Sequence, residues 1–169
     1  MEINISPYNF EKIDSDGFVY FFDTEFELTY EVIFKPTPYL FSSEKPYSKD
    51  TYEFSIIVLE NPNYSSPPFD NRIGTTIAKI FDDFYQNKGN TVSLYICASY
   101  DNRQLIRYRK FNSWFASFNS SKYVKIDASL IDLSKNTYPI SIIISTQNPY
   151  KKLISDDFYD MIDSFQNNK

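Results

Sequence analysis

Residues 70–98 read DNRIGTTIAKIFDDFYQNKGNTVSLYICA, and the spacing of their apolar residues decides the fold. In the first part the apolar residues recur every three or four positions, as on one face of an α-helix. Asp70 is the predicted N-cap of this helix, and Gly89 is predicted to follow its C-terminal end. The run from Val92 to Ala98 has no helical period and predicts a buried strand. The predicted buried face of the helix contains Ile73, Ile77, Ile80 and Phe84, with Phe81 at its edge.

The residues on either side of this stretch predict further strands and helices. Strands rich in aromatic and β-branched residues are predicted at 8–13, 18–22, 26–34 and 52–59, with Pro-containing loops at 35–50 and 61–69. After residue 98, a second helix is predicted to follow Asp101, and two strands at 123–131 and 138–145. A last helix is predicted to run to about Phe165.

The order of these elements predicts an α+β fold. Four strands, a helix, a strand, a helix, two strands and a helix do not form the regular alternation of a doubly wound protein. The order instead predicts a largely antiparallel sheet with two to three helices packed on one face. The length of 169 residues fits a single domain, 1–169. We expect one common core made of Ile77, Ile80, Phe84, Ile96, Phe111 and Phe115.

Composition narrows the classes of partner. The formal net charge is −5, which opposes binding to nucleic acid and to anionic membranes, although a local basic patch remains compatible with it. No apolar run approaches the roughly 20 residues of a membrane span. The first residues carry neither the basic nor the apolar region of a secretory signal. We therefore expect a cytoplasmic protein that does not bind membranes.

The usual catalytic and metal-binding side chains are scarce. The chain has no histidine and one cysteine, Cys97, which excludes the common Ser-His, Cys-His and zinc sites. Cys97 lies in the apolar strand and is expected to be buried and unreactive. We predict no catalytic residue, no metal and no cofactor. The carboxylates on the polar sides of the helices are interpreted as solvated surface: Asp82, Asp83, Asp156, Asp157, Asp160 and Asp163.

The stretch from Asp70 to Phe115 resembles a family of small, uncharacterised proteins of Bacteroidota, catalogued as a domain of unknown function. The resemblance rests on DNRI at 70–73 with TI at 76–77, YIC at 95–97 and DNRQ at 101–104, followed by Arg107, Arg109, Phe111 and WF at 114–115. YFFDT at 20–24, YEVIF at 30–34 and NP at 148–149 extend it toward both ends. The resemblance implies a bacterial, cytoplasmic protein and no particular activity.

The second helix carries the candidate binding residues. Asp101 and Gln104 fit a capping box at its start. At 100° per residue, Arg103, Arg107, Lys110 and Trp114 fall along one side of the helix, and we call these four residues the basic strip. Such a strip suits a phosphate, a carboxylate or an acidic protein surface, and Trp114 suits stacking. The alternative is structural: Trp114 belongs to the core, and the arginines pair with Asp101 and Asp127.

The sequence favours a non-enzymatic interaction protein whose partner is another protein. Scarce catalytic chemistry and abundant aromatic residues support this hypothesis, and an accessory, immunity-like or defence-associated role fits it. A nucleic-acid or nucleotide binder using the basic strip is the second hypothesis, disfavoured by the net charge. An enzyme using carboxylates and arginines is the third.

Overall fold

The computed structural model describes residues 5–14, 18–63, 66, 68–97 and 99–167. These residues form a seven-stranded sheet and three α-helices, so the predicted α+β fold is confirmed. The strands are β1 (Glu11–Asp14), β2 (Phe18–Asp23), β3 (Thr29–Pro36), β4 (Thr51–Glu60), β5 (Val92–Ile96), β6 (Tyr123–Ile131) and β7 (Thr137–Ser145). The helices are α1 (Asn71–Asn87), α2 (Gln104–Phe118) and α3 (Lys151–Asn167).

The sheet order is β1-β2-β3-β4-β5-β7-β6, and its neighbouring strands are antiparallel except for β4 and β5. A parallel pair needs a crossover connection, which α1 supplies between β4 and β5. Asp70 caps this helix as predicted, because its carboxylate accepts the Arg72 N–H at 2.9 Å. The element order agrees with the prediction, although β1 is shorter than the predicted strand 8–13. The predicted strand 92–98 ends at Ile96, and Ala98 lies outside the described residues.

Helices cover both faces of the sheet. Helices α1 and α2 lie on one face, and α3 lies on the opposite face over β5, β7 and β6. Strands β5 and β7 are therefore apolar on both sides: Ile143 belongs to the first core, whereas Ile142 and Ile144 belong to the second. This double burial explains their nearly continuous apolar sequence, since an alternating pattern requires one solvated face.

Phenylalanine rings form the centre of the first core. Phe34 stacks on Phe84 with 3.8 Å between ring centroids, and it also contacts Phe54 and Phe81. Ile77, Ile80, Phe84 and Phe111 are buried together as predicted, and Phe115 is partly buried against them.

The prediction for Ile96 is wrong, because its side chain is 40% exposed. Ile96 shares the α3 side of β5 with Val92 and Leu94, and it is the last residue of the strand. Strand alternation therefore directs it away from the α1–α2 core in which it was expected.

The burial of Phe111 gives a stability prediction. Its ring packs on Tyr95 and Phe54, at centroid distances of 4.2 and 5.7 Å. Phe111→Ala should lower the free energy of unfolding by about 3–5 kcal/mol, because it removes buried area and leaves a cavity. Urea denaturation measures the loss. Phe69→Ala is the control: Phe69 is 89% exposed, so its replacement should change stability by less than about 0.5 kcal/mol. Equal effects of the two substitutions would contradict a core role for Phe111.

Candidate functional site

The start of α2 differs from the predicted capping box. The helix begins at Gln104 with Arg103 as N-cap, and no side chain caps it. The Asp101 carboxylate accepts the Arg103 N–H at 3.2 Å and two guanidinium N–H groups of Arg107 at 2.7 and 2.6 Å. Gln104 donates to the Thr137 carbonyl at 3.5 Å instead of reaching back. The capping prediction was wrong because Arg103, two residues after Asp101, occupies the N-cap position, and the Asp101 carboxylate instead pairs with Arg107.

Arg107 is held in place by groups that precede the helix. Besides its ion pair with Asp101, its guanidinium lies 5.1 Å from the ring centroid of Tyr100. The hydrogen bonds from Arg107 lower the pKa of Asp101 to about 2. The same hydrogen bonds raise the pKa of Arg107. One of the two carboxylates named as possible partners of the arginines, Asp101, therefore does pair with Arg107. Asp127 does not pair with an arginine, since Lys125 and Ser141 donate to it.

Lys110 and Trp114 form a second pair on the helix. The Lys110 ammonium lies 4.9 Å from the ring centroid of Trp114. Desolvation lowers the pKa of Lys110, which the nearby Asp70 carboxylate partly offsets. Trp114 is half-buried and packs against α1 at Gly74. A Cβ atom on Gly74 would lie 2.7 Å from Trp114 Cδ1, so this helix contact requires glycine.

The basic strip thus joins residues in different environments. Arg103 is exposed, and its side chain makes no ion pair with any residue that the structure describes. Arg107 and Trp114 are partly buried and held by neighbouring groups. Lys110 is exposed and lies between the two sets. The structural alternative therefore accounts for Arg107 and Trp114, while Arg103 and Lys110 face solvent.

Sequence reasoning missed the apolar residues on the outer side of α2. Leu105 and Ile106 are 48% and 52% exposed, beside the exposed Arg103, Arg109 and Lys110. We call these five residues the α2 outer face. Residues 104–118 contain no carboxylate, so the helix carries positive charge only. The signal was present in the sequence: at 100° per residue, Leu105 and Ile106 lie away from the stripe containing Tyr108, Phe111 and Phe115.

The helix carboxylates are not merely solvated surface. The hydroxyl of Tyr20 donates to Asp83 at 2.8 Å, and that of Tyr123 donates to Asp82 at 2.9 Å. Asp157 accepts from the hydroxyl of Tyr47. The interpretation was wrong for these three aspartates, because each one satisfies a tyrosine hydroxyl. Within the described ranges, no group of three or more His, Cys, Asp or Glu side chains is placed to hold a metal ion.

Cys97 is buried as predicted. Burial raises the pKa of its thiol, while a hydrogen bond with Tyr95 and the charges of Arg107 and Lys125 act in the opposite direction. A thiol with a raised pKa is mostly protonated at neutral pH, and the thiolate is the nucleophile. Slow reaction with thiol reagents therefore remains our prediction for this residue.

Comparison with known proteins finds one family. The sequence model of a family of unknown function, DUF6169, matches residues 69–160. This range begins just before α1, includes all of α2 and ends within α3. It contains the motifs at 70–115, whereas the early hairpin at 20–34 lies outside it. No curated protein and no solved structure matches the chain. None of the helices in the described part of the chain has the length and apolar character needed to span a membrane.

The contact between Gly74 and Trp114 predicts that replacing this helical glycine with alanine lowers stability, although such a replacement usually raises it. Alanine in place of a glycine inside a helix normally stabilises by about 0.5–1 kcal/mol. Gly74→Ala should instead destabilise by about 1–3 kcal/mol, because the methyl group overpacks the indole. Gly89→Ala is the matched control, since its nearest heavy atom, the Tyr85 carbonyl oxygen, lies at 3.7 Å. Thermal and urea denaturation measure both. A stabilised Gly74→Ala protein would show that Trp114 is not wedged against α1.

The ion pair at the start of α2 gives a pH prediction. The pKa of Asp101 is about 2, below its ordinary value of 3.8, because Arg107 favours the ionised form. The stabilisation is therefore complete above the ordinary pKa and is lost as the pH falls toward 2. Arg107→Gln should return the pKa of Asp101 toward 3.8, as measured by NMR titration of its carboxyl carbon. Arg109→Gln, which removes an exposed arginine, should leave this pKa unchanged. A low pKa that persists in Arg107→Gln would assign the effect to another group.

Proposed function

The chain belongs to the family of unknown function DUF6169, and we propose that it is a non-enzymatic interaction protein that binds an acidic surface of another protein through α2. The α2 outer face carries this proposal, because it combines exposed apolar side chains with cations that form no ion pair with the described residues. We also propose that the interaction takes place in the cytoplasm of a bacterium, where a lone cysteine such as Cys97 stays reduced.

The composition of the α2 outer face supports a protein partner. Leu105 and Ile106 supply apolar area, and cations surround them on a helix without carboxylates. An exposed apolar centre with a charged rim is typical of interaction surfaces. The cations favour a partner that has carboxylates around its own apolar centre, because cations on the partner would repel this basic surface.

The basic strip and the outer face share Arg103 and Lys110, which we assign to direct contact with the partner. Arg107 has a positioning role, since its pair with Asp101 fixes the turn from which Arg103 projects. Trp114 also has a positioning role, because it holds α2 against α1 at Gly74. The strip therefore presents two cations and anchors the helix that carries them.

A protein partner explains these features better than a nucleic acid does. A nucleic-acid binder would use Trp114 to stack on a base. The packing of the indole on α1 restricts its access, and the net charge of −5 opposes phosphate binding. Exposed aliphatic side chains such as Leu105 and Ile106 add nothing to phosphate recognition.

Affinity capture from an extract of the native host tests the proposal. The tagged chain and its Arg103→Glu/Arg109→Glu variant are compared, because both arginines are exposed and neither forms an ion pair with a described residue. Lys151→Glu/Lys152→Glu on α3 is the control, with the same change in charge at another exposed site; it also removes the exposed Lys152–Asp156 ion pair, which contributes little to stability. Nuclease treatment of the extract removes partners bridged by nucleic acid.

The expected result is at least one acidic protein that the wild type and the control both retain and the α2 variant loses. Its retention by the wild type should weaken about tenfold or more between low and high salt, since the contact includes exposed charges. Circular dichroism and thermal melts check that all three proteins are folded. If a folded α2 variant retains the same proteins as the wild type, the α2 outer face is not the binding surface.

A further inference from the structure

Within the part of the chain that the structure describes, no helix covers strands β1 to β4 on the α3 side of the sheet, while Phe41 and Tyr47 of the loop between β3 and β4 pack in the α3 core. Strands β1 to β4 pack against α1 with one face, while α3 covers only β5, β7 and β6 on the other face. The strand register aligns Phe21, Glu31 and Ile57 across the uncovered half. The adjacent row contains Ile13, Val19 and Ile33. We call these six residues the open sheet face.

The open sheet face is largely apolar. Ile13 and Ile57 are 54% and 44% exposed, and Val19, Phe21 and Ile33 are partly exposed. None of these five residues belongs to either of the two cores that the described residues form. An apolar patch of this kind, continuous across neighbouring strands, is typical of an interaction site.

Acidic residues lie within and beside this apolar patch. Five carboxylates lie on the same side of the sheet, with Lys35 as the cation among the described residues: Glu11, Asp23, Glu31, Glu53 and Glu60. The four glutamates form no ion pair with the residues that the structure describes, and Asp23 accepts from the Thr29 hydroxyl. Five carboxylates and one lysine leave a formal charge of −4 on this side of the sheet.

We propose that the open sheet face binds the α2 outer face of a second copy of this chain. This inference rests on the proposed function of α2 and identifies the acidic partner surface that it requires. The α2 outer face carries a formal charge of +3 from Arg103, Arg109 and Lys110, around Leu105 and Ile106. Both surfaces combine exposed apolar side chains with charged ones, and their formal charges are opposite in sign.

The sizes and positions of the two surfaces are also compatible. Four strands at about 4.8 Å spacing span about 14 Å between the outer strands, and a helix with its side chains is about 10–12 Å wide. One helix therefore fits the uncovered half. Because α2 lies on the opposite side of the sheet, it cannot reach this face within its own chain. Pairing of two open sheet faces would bring their carboxylates together, which favours the head-to-tail arrangement.

Sedimentation velocity of the full chain at increasing concentration tests the inference. Concentrations up to about 1 mM are used, so that a complex with a dissociation constant as weak as this is still detected. The wild type is expected to show a sedimentation coefficient that rises with concentration and falls on addition of salt. Glu31→Lys/Glu53→Lys disables the open sheet face, and Arg103→Glu/Arg109→Glu disables the α2 outer face. Each variant alone should associate at least about tenfold more weakly than the wild type, because each of its contacts would need a disabled surface.

A mixture of the two variants distinguishes head-to-tail binding from other modes. Each variant keeps one intact surface of the complementary kind, so the mixture should associate where neither variant does so alone. Lys151→Glu/Lys152→Glu should self-associate like the wild type. If the lysine substitutions in the sheet prevent folding, Glu31→Gln/Glu53→Gln tests the same surface with a smaller change.

A wild-type chain that stays monomeric at every concentration, or a variant mixture that forms no dimer, would overturn the inference. Either result leaves the proposed function standing if the α2 variant still loses a host protein in affinity capture. If the α2 variant loses a host protein in affinity capture but self-associates like the wild type, the inference is overturned and the proposed function stands.

Discussion

The hydrogen bond from a tyrosine hydroxyl to an aspartate at the edge of the core is the interaction on which the rest of this structure depends. A core this rich in aromatic residues places hydroxyl groups where water has little access, and an unpaired buried hydroxyl is costly. Tyr20 and Tyr123 donate to neighbouring aspartates of α1, and Tyr47 donates to Asp157 of α3. Burial and the nearby carboxylate raise the pKa of each tyrosine, so each stays a neutral donor.

These bonds also set the relative placement of helices and sheet. Asp82 and Asp83 are adjacent in α1, yet they bind tyrosines from opposite halves of the sheet, on β6 and β2. Such a pair fixes the direction in which α1 crosses the strands. Tyr85, which is also buried, donates to a backbone group instead, the Ile143 carbonyl, at 2.8 Å. Each aspartate that binds a tyrosine also pairs with a lysine: Asp82 with Lys122, Asp83 with Lys12 and Asp157 with Lys45.

Local pattern predicted the elements and their order because the period of apolar residues depends on neighbours in the chain. The helical spacing of residues 73–84 and the Asp70 cap are examples of such local information. Errors arose where the local pattern allowed more than one outcome. Asp101 is chemically as good a cap as Asp70, but Arg103 becomes the N-cap of α2 and Asp101 pairs with Arg107. Likewise, nothing near Asp82 in the chain indicates that Tyr123 will bind it.

The open sheet face shows why local pattern does not specify coverage. The run FVYFF at 18–22 is apolar at both alternating positions, which correctly indicates a strand with apolar residues on both sides. Whether a helix covers the second side depends on the sheet order, since α3 follows β7 and packs near β7, β5 and β6. An exposed apolar sheet surface promotes non-specific aggregation, and charged residues within that surface oppose it. Glu11, Glu31 and Glu53 repel most copies of such a face, including its own. A surface that overcomes this repulsion must bring cations together with apolar side chains, and α2 presents that combination.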